Sequence, residues 1–449
     1  MASERVIVIG AVAAGTSAAA KAKRTNPDLD ICVYGREAHV SYSACGLPYL
    51  ISGAVADYQA LIARTPAQFA RDGVTVKTEH EVIDLDVAAG RVTVRDLATN
   101  STFHDHFDRL VLATGARVNC PPVRGIELQG VFRLRSMHDG LAIQTYISEQ
   151  QPKHAVVVGA GYIGLEMAEA LLDRGIGVTL VNRSKTVLSS LDHDMSSQII
   201  SRLEAAGVQL ALGCGLEGLE GKHDRVTHVV AGGRDIPAEL VIIATGVQPN
   251  SELAQSCGAE LGEHGAIKID QLGRTSVDRV YAAGDCSTVD HRILNKPVYL
   301  PLGTTANKQG RTLGAYLAGH ERPFRGVVGT AVTKFADLHI AATGLSVEQA
   351  LHHGYHVRSK IIHSTDHAGY YPNARPITVK LVADAADGTL LGGQIIGFDD
   401  VAKRVDVVAV ALAGRMTVDE FAWQDLSYAP PFSSVWDPLL VAAQALAKG

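Results

Sequence analysis

Short apolar runs rich in β-branched residues dominate the first half of the chain. Two of them, Arg5–Ile9 and His154–Val158, each lead into a glycine turn and then into an Ala- or Leu-rich stretch of helical character. Another apolar run follows each helix, at Asp30–Tyr34 and at Gly177–Val181. The pattern therefore predicts a β-α-β unit twice over, which is the sequence form of a dinucleotide-binding fold.

The two glycine turns strengthen this prediction. The first spans Gly10–Gly15 with Val12 in the middle position, whereas the second, Gly159–Gly164, is a complete GxGxxG. In this motif the first glycine allows the tight turn, the second lets a pyrophosphate approach the backbone, and the third lets helix and strand pack closely. The phosphates then lie at a helix N-terminus, because free N–H groups and the helix dipole favour anions there.

Further apolar runs predict the remaining elements. Two similar segments, Leu110–Gly115 and Leu240–Gly246, place Ala-Thr-Gly after a strand, and another strand ends at Gly284–Asp285. After about residue 325 the pattern favours antiparallel strands over 330–333, 376–382 and 390–397, and helices over 400–412 and 437–447. We therefore expect an α/β chain with two Rossmann-like dinucleotide-binding domains and a C-terminal α+β domain.

Composition narrows the class of function. The 449 residues include 41 Lys and Arg against 47 Asp and Glu, and the net charge of −6 argues against a nucleic-acid binder. No apolar run reaches the ~18 residues of a membrane span. The segment Met1–Arg5 lacks the features of a signal peptide, so we expect a cytoplasmic protein. The six cysteines form no C-x-x-C pair, which indicates neither a metal site nor a dithiol motif.

The segment Val40–Tyr49 (VSYSACGLPY) contains a lone cysteine, Cys45, followed by Gly-Leu-Pro-Tyr. With the two glycine turns and Gly284–Asp285, it makes the whole chain resemble the FAD-dependent pyridine nucleotide-disulfide oxidoreductases. Dithiol members such as glutathione reductase carry C-x-x-x-x-C here. The lone cysteine resembles the single-cysteine branch of coenzyme A-disulfide reductases, NADH peroxidases, NADH oxidases and CoA-dependent polysulfide reductases. A single thiolate can hold its sulfur partner as a mixed disulfide or be oxidised to a sulfenic acid.

Four features are closest to the coenzyme A-disulfide reductases within this branch. Ala13 stands where the peroxidases and oxidases usually have a histidine, which argues against peroxide chemistry. The segment His367–Pro372 resembles one in which these reductases carry a tyrosine. The segment Tyr428–Asp437 resembles one whose tyrosine reaches the partner subunit's cysteine. The segment Pro301–Arg311 is similar to one that faces flavin and substrate.

The resemblance implies a domain order. It implies an FAD-binding domain in two parts, 1–148 and 249–324, an NAD(P)H-binding domain at 149–248, and a C-terminal domain at 325–449 that forms a homodimer. The cofactor-binding residues it implies, for FAD and the nicotinamide nucleotide together, are Gly10, Val12, Ala14, Gly15, Glu37, Thr114, Gly115, Gly284, Asp285, Pro301, Thr304, Gly159, Gly161, Tyr162, Ile163, Gly164, Asn182, Arg183, Lys185, Thr245 and Gly246.

The resemblance also implies the reaction. NADPH reduces FAD, and the electrons pass to a disulfide between Cys45 and CoA, while a tyrosine stabilises the leaving thiolate. The catalytic residues implied are Cys45, Tyr428, either Tyr370 or Tyr371, and Glu166, which is alternatively a surface carboxylate of its helix. CoA, as substrate or as a bound thiol, is expected to contact Arg24, Ser41, Ser43, Arg64, Asn307 and Lys308.

Three positions bear on nucleotide and substrate choice. The strand ending at Val181 is followed by Asn182–Lys185, which has two cations and no carboxylate, so NADPH is favoured over NADH. At the matching end of the first unit Gly35 replaces the usual acid, and Glu37 is expected to substitute. Ala44 stands where relatives often have an asparagine that contacts CoA.

Two alternatives to CoA-disulfide reduction stay open. The same cysteine would serve a polysulfide or persulfide reductase or an NADH oxidase. The other alternative is not an enzyme but a nucleotide-binding sensor that binds flavin weakly. Gly35 supports this alternative, whereas the intact Cys45 and Tyr428 argue against it.

Overall fold

The computed structural model describes residues 3–448. Met1, Ala2 and Gly449, the ends of the first and last predicted domain segments, lie outside the described residues. Across 3–448 no helix combines the length and apolar character needed to cross a membrane.

The strands are short and numerous. In chain order they are β1 Arg5–Ile9, β2 Asp30–Tyr34, β3 Val74–Lys77, β4 His80–Asp86, β5 Arg91–Asp96, β6 Thr102–His106, β7 Arg109–Leu112, β8 Ala116–Val118, β9 Val131–Arg133, β10 His154–Val158, β11 Gly177–Asn182, β12 Gln209–Leu212, β13 Leu216–Lys222, β14 Arg225–Ala231, β15 Arg234–Pro237, β16 Leu240–Ile243, β17 Val247–Pro249, β18 Val280–Ala282, β19 Val289–His291, β20 Lys296–Val298, β21 Ala331–Phe335, β22 Leu338–Gly344, β23 Val357–Thr365, β24 Pro376–Asp384 and β25 Leu390–Gly397.

The helices separate these strands in the first two thirds of the chain and cover the last sheet. They are α1 Ala14–Thr25, α2 Leu47–Ser52, α3 Pro66–Arg71, α4 Met137–Gln150, α5 Tyr162–Asp173, α6 His193–Ala205, α7 Glu252–Ser256, α8 Gly303–Leu317, α9 Val347–His352, α10 Val401–Gly414, α11 Val418–Ala422 and α12 Pro438–Ala447.

Two five-stranded parallel sheets carry the glycine turns. Their strand orders are β18-β7-β1-β2-β3 and β12-β11-β10-β16-β9, so β1 and β10 occupy equivalent central positions. Both central strands are buried along nearly their whole length, as expected for parallel strands covered on both faces. The predicted fold class, with two Rossmann-like units and a C-terminal α+β domain, is confirmed.

The third large sheet is antiparallel and has the order β21-β22-β25-β24-β23. Its inner face packs on α10 and α12, and the shared core includes Val379, Leu381, Val405, Val408 and Leu439. The strands and helices after residue 325 have no Gly-rich turns between them. These apolar contacts hold them together as a separate layer.

The second parallel sheet takes one strand from early in the chain. β9 pairs in parallel with β16, although it lies within the predicted segment 1–148. The predicted boundary at 148/149 does not take this strand into account, because a three-residue strand next to turn residues carries no periodic signal. The four-segment division otherwise stays a prediction.

A reciprocal two-stranded ribbon joins the two parallel sheets. β8 follows the first sheet, β17 follows the second, and the two pair in antiparallel fashion. Thr114 donates its hydroxyl to the Asn250 carbonyl at 2.5 Å, and Thr245 donates its hydroxyl to the Asn119 carbonyl. The two Ala-Thr-Gly segments therefore connect the nucleotide units to each other symmetrically.

Helix α8 packs closely on α1 through small residues. A β-carbon at Gly310 would lie 2.3 Å from the Ala14 carbonyl oxygen, and one at Gly314 would lie 2.3 Å from the Ala18 carbonyl oxygen. Because only glycine permits this approach, α8 lies directly against the first nucleotide unit. Its N-terminus is thereby held beside the loop that carries Cys45.

The second glycine turn gives a paired prediction. In Gly164→Ala the new methyl group would lie 1.9 Å from the Gly159 carbonyl oxygen, so we expect a loss of about 1–3 kcal/mol in unfolding free energy. In Gly161→Ala nothing lies within 4 Å, so we expect unchanged stability and weaker binding of the nicotinamide nucleotide. Thermal unfolding and nucleotide titration of both variants check this. Equal loss of stability in both would contradict it.

Candidate active site

Cys45 lies in a short 3-10 turn, Ala44–Gly46, that leads directly into α2. The residue is exposed at the surface of the subunit, but its thiol is partly covered by surrounding protein. Its Sγ atom would lie 4.0 Å from a β-carbon at Gly303, the first residue of α8. No side chain caps the N-terminus of α8. The thiol therefore faces the open N-terminus of a 15-residue helix, whose dipole favours a negative charge.

One carboxylate from each nucleotide unit affects the pKa of this thiol. Burial raises the pKa of Cys45 above its ordinary value, and the charges of Glu166 on α5 and Asp285 after β18 raise it further, while Arg135 opposes them. Burial likewise raises the pKa of Glu166, which accepts a hydrogen bond from the Thr333 hydroxyl at 3.3 Å. The two carboxylates therefore oppose the α8 dipole and disfavour the thiolate form of Cys45.

Arg135 is a residue of this site that sequence reasoning missed. Its guanidinium donates to Asp285 Oδ2 at 2.6 Å and to the Ala116 carbonyl oxygen at 3.0 Å. It belongs to no glycine motif and lies 150 residues from its carboxylate partner. Nothing in the sequence pattern marks it, because the fold alone brings it to the end of β18.

Asp285 itself is held from two sides. Besides the bond from Arg135, its carbonyl oxygen accepts the Tyr299 hydroxyl at 3.1 Å. The neighbouring Gly284 N–H donates to Gln309 Oε1 on α8 at 2.9 Å. The predicted Gly284–Asp285 pair thus lies at the edge of the first sheet next to α8, in the region of Cys45.

Both glycine turns have the geometry that their motif requires. Gly10 and Gly159 have φ values of +115° and +106°, and a β-carbon at Gly15 or Gly164 would lie 1.9 Å from the carbonyl oxygen of the first glycine of its turn. The space around Gly161 is open to 4 Å. Val12, the residue in the equivalent middle position of the first turn, is instead partly buried and packs against the hydrophobic core.

The helices after these turns begin without a cap. Neither α1 nor α5 has a side-chain cap or an acidic residue in its first turn, whereas capping boxes close α3, α4, α9 and α11. Ala14, Tyr162 and Ile163 lie at the two open helix starts. Their free N–H groups fit the phosphates of two bound dinucleotides.

The second strand of the first unit ends differently from the usual pattern. A β-carbon at Gly35 would lie 2.7 Å from that of Ala11, so the position is closely covered. Glu37 Oε2 accepts the Tyr42 hydroxyl at 2.7 Å, and that hydroxyl accepts the Met137 N–H at 3.2 Å. The predicted ribose contact of Glu37 stays a prediction, and one of its oxygens is already engaged.

The corresponding loop of the second unit has separate structural and exposed residues. Asn182 Oδ1 accepts the Ala160 N–H at 3.2 Å, and its Nδ2 donates to the Thr186 carbonyl oxygen at 2.8 Å. Asn182 therefore fastens the loop to the glycine turn. Arg183 and Lys185 are exposed beside it and are free to meet an anionic group.

The two Ala-Thr-Gly segments have an additional role that was not expected. The hydroxyls of Thr114 and Thr245 are used in the reciprocal ribbon, and Gly115 and Gly246 have φ values of +67° and +91° at its two ends. Cofactor contacts from these four residues stay a prediction. Because both hydroxyls donate their protons to carbonyl oxygens, these two side chains are left with only their lone pairs for a cofactor.

The structure distinguishes the two candidate tyrosines near residue 370. The hydroxyl oxygens of Tyr370 and Tyr428 lie 3.5 Å apart, and their hydrogen bond raises the pKa of Tyr428. Tyr371 instead packs its ring edge-on against His367, with 5.7 Å between centroids. Tyr370 is 77% exposed and Tyr428 is 45% exposed. The pair thus presents two hydroxyls to the outside of the subunit.

The predicted substrate residues fall into two groups. Asn307 and Lys308 lie exposed on the first turns of α8, where Asn307 Oδ1 accepts the Ser17 hydroxyl at 2.8 Å. Thr304, exposed beside them, and Pro301 before the helix are predicted cofactor residues. Ser41 and Ser43 flank Tyr42 in the loop before Cys45, and Ser41 has a φ of +48°.

The two predicted cations differ in availability. Arg64 pairs with Asp72 and stacks 4.1 Å above the Phe69 ring, so its charge is already matched. Arg24 is exposed near the end of α1 and forms no ion pair within residues 3–448.

Comparison with known proteins identifies the family. Residues 4–310 match the family described as pyridine nucleotide-disulphide oxidoreductase, and residues 330–439 match its dimerisation domain. The chain belongs to this family. The predicted membership is confirmed, and so is the prediction of an FAD-dependent NAD(P)H:disulfide oxidoreductase. Binding of FAD and of a pyridine nucleotide is supported by the family.

Several members of the family are similar along the whole chain. An NAD(P)H sulfur oxidoreductase (CoA-dependent) of Pyrococcus furiosus is 38% identical over 99% of this chain and 100% of its own. A coenzyme A disulfide reductase of Staphylococcus haemolyticus is 33% identical over 96% of each chain. The solved structure of reduced Bacillus anthracis CoADR-RHD is 34% identical, with a TM-score of 0.97 over 100% of this chain and 81% of that one.

The electrostatics of Cys45 give a pH prediction. Because the negative charge of Glu166 raises the pKa of Cys45, Glu166→Gln lowers it and shifts thiol alkylation to lower pH. The rate of iodoacetamide labelling across pH 6–10, read at Cys45 by mass spectrometry, measures the shift. Glu169→Gln on the same helix is the control, since Glu169 is paired with Lys334. An unshifted profile in Glu166→Gln would refute the assignment.

Proposed function

We propose that this chain is a homodimeric flavoprotein that uses NADPH to reduce a CoA-linked disulfide through Cys45. One observation carries the proposal: Cys45, the one exposed cysteine within residues 3–448, has its Sγ 4.0 Å from a β-carbon at Gly303, at the uncapped start of α8. A structural cysteine needs neither exposure nor a place beside an open helix N-terminus.

FAD, when bound, supplies the two-electron transfer between nicotinamide and sulfur. The open N-terminus of α1, the Gly10 turn and Asp285 would hold it, while the Gly159 turn and α5 would hold the nicotinamide nucleotide. The chain itself contributes the positions of the groups around the bound cofactors. It places one sulfur between both sites and keeps α8 open beside it.

The sulfur chemistry balances with one cysteine. The Cys45 thiolate attacks CoA disulfide, so that a bond forms between Cys45 and one CoA sulfur while the original disulfide breaks and one CoA thiolate leaves. Two electrons from NADPH then break this mixed disulfide and release the second CoA. One NADPH and one proton thus convert one CoA disulfide into two CoA thiols. Tyr428, paired with Tyr370, would give a proton to the leaving thiolate in the partner subunit.

The homodimer is supported by the exposed apolar surface next to Tyr428. Four large side chains with exposures of 48–75% lie on this face of the C-terminal domain; they are Trp423, Phe432, Val435 and Trp436. Exposed apolar groups of this size mark an interaction surface. Together with the family's dimerisation domain, they support a dimer in which the tyrosines of one subunit meet Cys45 of the other.

A second candidate is the reduction of polysulfide or persulfide. It is favoured by the Pyrococcus furiosus relative, whose name specifies CoA-dependent sulfur reduction. The chemistry at Cys45 is the same, with a sulfane sulfur in place of the second CoA.

The central test is anaerobic NADPH oxidation by the FAD-loaded protein with CoA disulfide or glutathione disulfide. We expect turnover with CoA disulfide, and a loss of more than about a hundredfold in Cys45→Ser, because no other group replaces the attacking sulfur. Cys257→Ser is the matched control and should retain activity. Turnover only with polysulfide would favour the second candidate, and Cys45-independent turnover would sink both.

Nucleotide choice gives a separate prediction. If Arg183 and Lys185 bind a 2′-phosphate, replacing both by Ala should raise the KM for NADPH about ten- to a hundredfold, since charge-assisted bonds are lost. The KM for NADH should stay within about twofold, because NADH has no such phosphate. Lys222→Ala, an exposed lysine of the same unit, is the control. Equal changes for both nucleotides would argue against the preference.

A further inference from the structure

Two loops of the C-terminal domain carry the paired tyrosines. We call them the tyrosine loops: residues 366–375 between β23 and β24, and residues 428–437 before α12. They touch at Tyr370 and Tyr428, and also where the Ala368 N–H donates to the Pro430 carbonyl oxygen at 3.2 Å. The loops contain no regular helix or strand, so their shape depends on what lies beneath them.

Arg404 on α10 lies beneath both loops. Its side chain is 7% exposed, and its Nη2 donates to the Asp366 carbonyl oxygen of the first loop at 2.6 Å. The same nitrogen lies 3.4 Å from the Phe432 carbonyl oxygen of the second loop, and Nε donates to Asp437 Oδ2 at 3.1 Å. One planar guanidinium therefore fixes three acceptors on two chain segments.

The acceptors are themselves fixed. Asp437 also accepts the Ser433 hydroxyl at 3.0 Å and the Leu439 N–H at 2.9 Å, which ties the second loop to the start of α12. Asp366 accepts the Arg375 N–H at 3.0 Å and so closes the first loop on itself. A guanidinium that bridges two such closed segments sets the distance between them.

Stability alone is a weak reason for this arrangement. Within residues 3–448, Arg404 Nη1 and Asp366 Oδ2 are buried without a hydrogen-bond partner. Buried ionic groups that are only partly paired contribute little to stability compared with apolar groups of the same size. A geometric role accounts better for a buried arginine at this position.

We propose that Arg404 is a positioning residue that holds the two tyrosine loops in register, so that Tyr370 and Tyr428 act as one hydroxyl pair on the sulfur of the partner subunit. Arg404 touches neither substrate nor sulfur and acts through the loops. The inference rests on the proposed function, because it assumes that the tyrosines serve the reduction of the disulfide.

The test separates the two half-reactions of the FAD-loaded dimer by anaerobic stopped-flow. In Arg404→Gln we expect flavin reduction by NADPH to stay within about twofold, and reoxidation by CoA disulfide to slow about ten- to a hundredfold, the cost of small misplacements at a reacting group. Arg404→Lys should recover part of the rate, because it keeps a charge toward Asp437. The Tyr370→Phe, Tyr428→Phe double variant should slow the same step.

Combining the variants distinguishes a positioning role of Arg404 from a purely structural role. If Arg404 acts through the tyrosines, Arg404→Gln adds little to the loss in the double Phe variant. Full additivity, or equal slowing of both half-reactions, overturns the proposal. Arg292→Gln is the control, since Arg292 donates to the Ala413 carbonyl oxygen near the other end of α10 at 2.6 Å and touches neither loop.

Two further outcomes are kept distinct. If the Arg404→Gln variant loses its dimer or its FAD, the test uses Ser433→Ala and Asp437→Asn, which loosen the same network more gently. Both variants should slow reoxidation alone. A normal reoxidation rate in both overturns the proposal. If the wild type reduces polysulfide but not CoA disulfide, the substrate proposal fails, and the half-reactions are measured with polysulfide. If the double Phe variant is fully active, the role of the tyrosines fails, and the inference with it.

Discussion

A single backbone contact, repeated in both nucleotide units, governs the arrangement of this molecule. In each unit the α-carbon of the third glycine lies so close to the carbonyl oxygen of the first that no β-carbon fits between them. The helix can therefore start directly at the end of the central strand with its N–H groups open. The same approach recurs between α1 and α8, where two further glycines bring α8 close to Cys45.

Most of the fold could be predicted because its determinants are local. Gly10–Gly15 and Gly159–Gly164 need only adjacent residues to specify a turn, and the strands before them are buried on both faces. In the C-terminal domain the periodicity predicts β21, β24 and β25 with α10 and α12, whereas β22, β23, α9 and α11 were not predicted. The sequence did not reveal strand pairing between distant parts of the chain. β9 joins the second sheet, and β8 and β17 pair with each other across the two nucleotide units.

The residues of the candidate site also differ in whether the sequence marks them. Cys45 is marked by its neighbours in the chain, and Tyr428 by a segment similar to that of known relatives. Arg135 and Arg404 are marked by nothing, because an arginine with no motif acquires a role only when folding brings distant acceptors to it. The choice between Tyr370 and Tyr371 is another example, since adjacent residues on a loop are separated only by the direction of their side chains.

The surroundings of Cys45 also affect the protein while it is idle. Peroxides attack the thiolate, and repeated attack ends in sulfinic and sulfonic acids that ordinary thiols do not repair. Burial and the charges of two carboxylates raise the pKa of Cys45, so its thiolate fraction is lower than that of an ordinary exposed cysteine. The surroundings that disfavour the thiolate therefore also slow the oxidation of this sulfur.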